Sequence, residues 1–145
     1  MKKFTFPLES ALDWRRRQME TEQARLEALE RRRSAMASML AGIEQSWVAA
    51  AEAVTKAKVI EAAELEHLSH YRIAADTKKR RVEGDLRVLA GKLEEQKSRL
   101  VEATRQFRLI EKLKEQRREE WQRQVDAQLE QEAGELYLAQ WINQE

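Results

Sequence analysis

The chain contains no cysteine, one proline and four glycines in 145 residues. Without cysteine there are no disulfides, no thiolate metal ligands and no thiol nucleophile. With Pro7 as the sole proline and so little glycine, few sharp turns can be built, which argues against a sheet with hairpin loops and against a Gly-rich phosphate cradle. Charge of one sign is also missing in excess. Twenty-seven Lys and Arg face 26 Asp and Glu for a net charge of +1, so electrostatics alone points to neither nucleic acid nor a membrane surface. No run approaches the ~18 to 20 consecutive apolar residues of a membrane span. The opening residues 1–7 carry two lysines but meet Glu9 too soon for the apolar core of a secretory signal. The expected compartment is the cytoplasm.

What is present is a narrow alphabet. Ala, Glu, Leu, Lys and Arg supply 85 of the 145 residues, the bias of long helices and coiled coils. Stepping alternately by four and three from Leu8 reaches Leu12, Arg15, Met19, Glu22, Leu26, Leu29, Arg33, Met36, Leu40, Ile43, Trp47, Ala50, Val54 and Ala57. Twelve of these fifteen positions are apolar. A 3.5-residue repeat sustained this long predicts a supercoiled helix burying a narrow seam. Thr5 as N-cap and Pro7 in the first turn offer a start, giving a first helix of about 6–57. At ~1.5 Å per residue it would span roughly 75 Å.

A second seam runs through Val82, Leu86, Leu89, Leu93, Gln96, Leu100, Ala103, Phe107, Ile110, Lys114, Arg117 and Trp121, of which nine of twelve are apolar. It predicts a second helix over about 77–141. Because the stripe turns charged after Ile110, its C-terminal part is expected to overhang the partner helix, leaving Trp121, Val125, Leu129, Leu136 and Trp141 free for other contacts. Between the seams the repeat slips, and the tip of a hairpin is expected within about 57–77. The fold class is therefore all-α, an elongated antiparallel two-helix coiled coil forming one domain over 1–145. Two seams in one chain can satisfy each other by loop closure, so the isolated chain is expected to be monomeric. One continuous helix that dimerises is the alternative.

Such a rod offers no pocket in which a carboxylate is desolvated and its pKa moved, so the chain is not expected to be an enzyme or to hold a cofactor. His67 and His70, with Glu64 and Glu66 nearby, have a spacing that puts both imidazoles on one helical face. Two solvated residues near a bend explain them more simply than a metal site does. The runs Arg15–Arg17, Arg31–Arg33 and Lys78–Arg81 are short, lie on helices whose other faces carry glutamate, and read as solvated faces with i,i+4 ion pairs. Arg15, Glu22 and Arg33 fall on the seam, where polar residues can fix register and arginine stems can lie across apolar neighbours. Trp47 reads as core, whereas Trp121 and Trp141 read as partner contacts, since exposed Trp is enriched at binding hot spots.

The opening Phe4-Thr5-Phe6-Pro7-Leu8-Glu9-Ser10-Ala11-Leu12-Asp13-Trp14-Arg15 resembles the start of the FliJ family of flagellar export stalk proteins, which begins Phe-x-Phe-x-Leu-x-x-x-Leu-x-x-Arg. The block Glu111-Lys112-Leu113-Lys114-Glu115-Gln116-Arg117-Arg118-Glu119-Glu120-Trp121 is similar to the family's C-terminal signature. Gly134 stands where the family usually has the first of two acids.

The resemblance implies a non-enzymatic stalk and adaptor, an antiparallel coiled coil like the rotor stalk of rotary ATPases. The paired chain ends would enter the central hole of a hexameric flagellar export ATPase (FliI-like), using Phe4, Phe6, Arg15, Lys112, Lys114, Arg117, Arg118 and Trp121. The opposite end would face an export gate protein (FlhA-like) through Leu68, Tyr71 and Ala75, and export chaperones would be escorted. The implied location is cytoplasmic, peripheral to the inner face of the cell membrane at the flagellar base. The equivalent stalk of a virulence-type secretion system and a generic dimeric coiled-coil scaffold stay open as alternatives.

Overall fold

A computed structural model of the chain describes residues 2–144. It is an all-α helical hairpin of two long helices packed against each other, α1 at Glu9–Thr55 and α2 at Ala62–Ile142, with no strand among the described residues. Among those residues, no helix is long and apolar enough to cross a membrane.

The helices form where Ala, Leu, Glu, Lys, Arg and Gln dominate, and their ends are set locally. Helix α1 starts at Glu9, later than the expected residue 6. Pro7 and Leu8 form the turn ahead of it, with the Glu9 amide donating to the Phe6 carbonyl at 3.2 Å and the Leu12 amide to the Leu8 carbonyl at 2.9 Å. Glu9 in the first turn complements the positive end of the helix dipole. The reversal occupies residues 56–61, at the N-terminal edge of the window of about 57–77 expected to hold the tip. Helix α2 begins fifteen residues before the expected residue 77, at Ala62. The Glu61 carbonyl accepts from the Glu64 and Leu65 amides to open it. No glycine takes part in the turn. All four lie inside helices, and none has positive φ.

The reason the start of α2 escapes the sequence pattern lies in two long cationic side chains. Four-three stepping runs without a slip through Leu68, Arg72, Ala75, Lys79, Val82 and Leu86, and every one of these residues is buried or half-buried. Arg72 and Lys79 hold the seam with their methylene stems while their charged heads stay at the edge. The Lys79 ammonium lies 3.7 Å from Glu44 of α1.

Contacts divide the chain into two compact units. In the unit of residues 21–100, Leu26, Leu89 and Leu93 form the buried cluster, with Leu29, Met36 and Leu100 packed against it. A buried polar layer interrupts this seam. Gln96 is 6 % exposed, and its side-chain amide donates to the Glu22 backbone carbonyl at 3.1 Å and to the Glu22 carboxylate. Among the described residues, no buried side-chain polar atom lacks a hydrogen-bond partner. Toward the turn, the Trp47 and Tyr71 rings stack at 6.3 Å between centroids, and the Arg72 guanidinium lies 4.7 Å from the centre of the Trp47 ring.

The other unit joins residues 2–20 to residues 101–144. Leu12 is 1 % exposed and Phe107 is also buried, with the Arg16 guanidinium 5.5 Å from the centre of the Phe107 ring. Arg15 donates to the Gln106 side-chain carbonyl, and the Lys114 ammonium meets the Glu9 carboxylate at 2.9 Å. Phe4 reaches Trp121 with 5.8 Å between ring centroids at an interplanar angle of 50°. Pairing therefore extends past Ile110, where the sequence placed its end. The extended segment before α1 covers part of what the overhang was expected to expose, and full exposure begins only after Val125.

Candidate docking surfaces

Concave surfaces lined by apolar side chains lie at the chain ends and beside the turn. Both carry residues singled out from the sequence. The first belongs to the unit containing the chain ends. Here Lys2–Leu8, which is not helical, lies against α2 and leaves a groove of about 650 Å³. Such a cleft was not expected from two bare helices; it exists because Pro7 turns the chain out of helical conformation before Glu9. Phe4, Phe6, Leu113 and Trp121 supply its apolar lining, and Lys3, Arg117 and Glu120 its charges. The Arg117 guanidinium lies 3.7 Å from the Glu120 carboxylate on the same helix.

Of the eight residues assigned to ring contact by resemblance, this groove brings together Phe4, Phe6, Arg117 and Trp121. Lys114 sits nearby in its cross-helix ion pair with Glu9. Arg15 is half-buried and engaged with Gln106, while its guanidinium also lies 4.7 Å over the Trp14 ring. Lys112 and Arg118 are exposed and do not line the groove. Sequence reasoning missed Leu113 and Lys3. Leu113 lies one residue off the seam, a position that only the crossing of the extended segment makes an inner wall.

The second surface lies beside the turn. A groove of about 420 Å³ is lined by Ala50, Val54, Ala57, His67, Leu68 and Tyr71, among others. Leu68 is half-buried and Tyr71 is 41 % exposed, so both of these expected gate contacts face this relief. Ala75 is 9 % exposed on the seam, and with Tyr71 it lines a further groove of about 420 Å³, beside Met39 and Ile43. Val59 and Ile60 in the turn are exposed, and no periodic pattern marks them because they belong to neither helix. His67 lines the groove, whereas His70 lies 3.8 Å from Glu66 on an exposed face. Among the described residues, no group of three or more His, Cys, Asp or Glu side chains could hold a metal ion.

The chemistry open to these surfaces is recognition by shape, apolar contact and exposed charge. Most of the ion pairs are solvated i,i+3 or i,i+4 pairs within a helix, each worth a few tenths of a kcal/mol. In comparisons with protein families, curated proteins and solved structures, none matches this chain.

Proposed function

We propose that this chain is a non-enzymatic stalk and adaptor of the flagellar type III protein export apparatus. In this reading the unit holding both chain ends enters the central hole of a hexameric export ATPase. The surface beside the turn docks an export gate protein, and export chaperones are handed on along the way. The chain works in the cytoplasm, held at the inner face of the membrane only through the apparatus.

The observation that carries the reading is the antiparallel closure of the chain ends. Phe4 and Trp121, one aromatic residue from each of the two segments that resemble the FliJ family, sit against each other. Glu9 and Lys114 of the same two segments form an ion pair. A part that shifts between ring subunits needs contacts that exchange, and exposed charges such as Lys112, Arg117 and Arg118 supply weak, screened ones. A helix braced along its length by a second helix resists bending as a flexible linker does not.

The test uses the purified chain with a hexameric flagellar export ATPase. Severalfold stimulation of ATP turnover or of ring assembly is expected, reduced by charge reversal of Arg117 and Arg118 without loss of helicity. Absence of binding and of any effect on turnover would refute the proposal.

A further inference from the structure

Helix α2 runs on through residues 126–142, all of them exposed, among them Leu129, Leu136, Tyr137, Leu138, Trp141 and Ile142. Leu136 is 66 % exposed and Trp141 60 %. At about 100° of rotation per residue, Val125, Leu129 and Leu136 fall within an arc of about 40°, beside the face that Trp121 presents to Phe4. The same geometry sets Glu132 next to the stripe with Glu135 farther out on that side, and Asp126 and Glu130 on the other side. No Lys or Arg occurs between residues 124 and 145. The last turn of α2 holds no basic residue, so the unsatisfied carbonyls at its C-terminus add to the negative potential of the acids.

We infer that residues 125–142 are a docking strip for a basic amphipathic helix of another protein, one with an apolar stripe bordered by Lys and Arg. Two features select this occupant. Stepping by three and four from Trp121 reaches Gln124, Gln128, Gln131 and Glu135, so Val125, Leu129 and Leu136 form a separate apolar face beside the covered seam, and a face of helical period is one that a helix covers. Acids lie on both sides of it, the places from which charges choose coiled-coil partners, so lysines and arginines opposite them are attractive. A second copy of this strip would set acids against acids. Anionic lipid and nucleic acid would be repelled. This inference stands whether or not the chain belongs to an export apparatus.

The test titrates full-length chain into a fluorescently labelled three-heptad peptide with Leu and Ile at the seam positions and Lys at the flanking ones. A second peptide carries Glu in place of Lys. The Lys peptide is expected to bind saturably, with affinity that falls as NaCl is raised, and the Glu peptide not to bind. Leu129→Ser and Leu136→Ser combined should weaken binding by at least about tenfold. Glu130→Lys, Glu132→Lys and Glu135→Lys combined should reverse the preference between the peptides. Val59→Ser with Ile60→Ser, in the turn, should leave binding unchanged, and circular dichroism should find every variant as helical as the parent. Failure of the Lys peptide to bind, equal binding of both peptides, or indifference to both sets of strip substitutions would overturn the inference. So would sedimentation equilibrium finding a dimer that Leu136→Ser dissolves.

Discussion

Leu12 is the most completely enclosed large side chain among the described residues, and its weight in stability follows from that. Leu12→Ala is expected to cost about 2–5 kcal/mol, within the range for buried Leu truncations, whereas Leu136→Ala should change stability by less than about 0.5 kcal/mol. Urea denaturation of the two variants checks both figures. Trp121 lies between these extremes. The sequence reading left it free, so that Trp121→Ala would cost almost nothing; the Phe4 ring against it corrects that. Trp121→Ala is now expected to cost roughly 1–2 kcal/mol, below the ~3–5 kcal/mol of a fully buried Trp. A double-mutant cycle with Phe4→Ala should return a coupling of about 0.5–1.5 kcal/mol. A coupling near zero would mean that the two rings are not in contact in solution.

At the scale of the helices, glycine is a weakness without a compensating use. Gly91 lies in α2, and beyond its chain neighbours and the surrounding helix backbone no heavy atom comes within 4 Å of where a Cβ would stand. Gly91→Ala is therefore expected to stabilise the chain by about 0.5–1 kcal/mol, read as a higher denaturation midpoint at an unchanged slope. The elements differ in how much of them could be read from sequence. The α1 seam was legible because apolar residues mark it, and Leu12, Leu26, Leu29, Met36, Leu40, Ile43 and Trp47 are all buried or half-buried. The first turns of α2 were hidden because Arg72 and Lys79 occupy seam positions, which a pattern of apolar residues reads as a break. The reversal was equally unmarked, since residues 56–61 turn without glycine or proline. Of the candidate sites, Phe4, Phe6 and Trp121 were nameable as residues. Their meeting was not, because it depends on how far the segment before α1 reaches along a helix more than one hundred positions away.

Across the whole molecule, protection from solvent should follow coverage and not helicity. Residues 82–107 carry buried side chains at seam spacing, from Val82 through Leu89, Leu93 and Gln96 to Phe107. Residues 126–142 are helical with nothing buried. Helical segments of only ~12–15 residues are marginal in water without packing, so the exposed stretch depends on propagation from the covered part. Native-state hydrogen exchange is expected to show fast opening over 126–142 and slow, cooperative opening over 82–107. Equal protection of both stretches in a dilute sample would contradict the exposure described for the C-terminal part of α2.

The Gln96–Glu22 crossing has a consequence for how the two helices find each other. Seams rich in leucine tolerate sliding, since one heptad looks much like the next. Displaced by one heptad, Gln96 would face Leu29 or Arg15, and Glu22 would face Leu89 or Ala103, stranding an amide or a carboxylate in a greasy layer. This buried hydrophilic rung thus acts like an indexing pin: the register in which amide and carboxylate meet is favoured over its one-heptad neighbours.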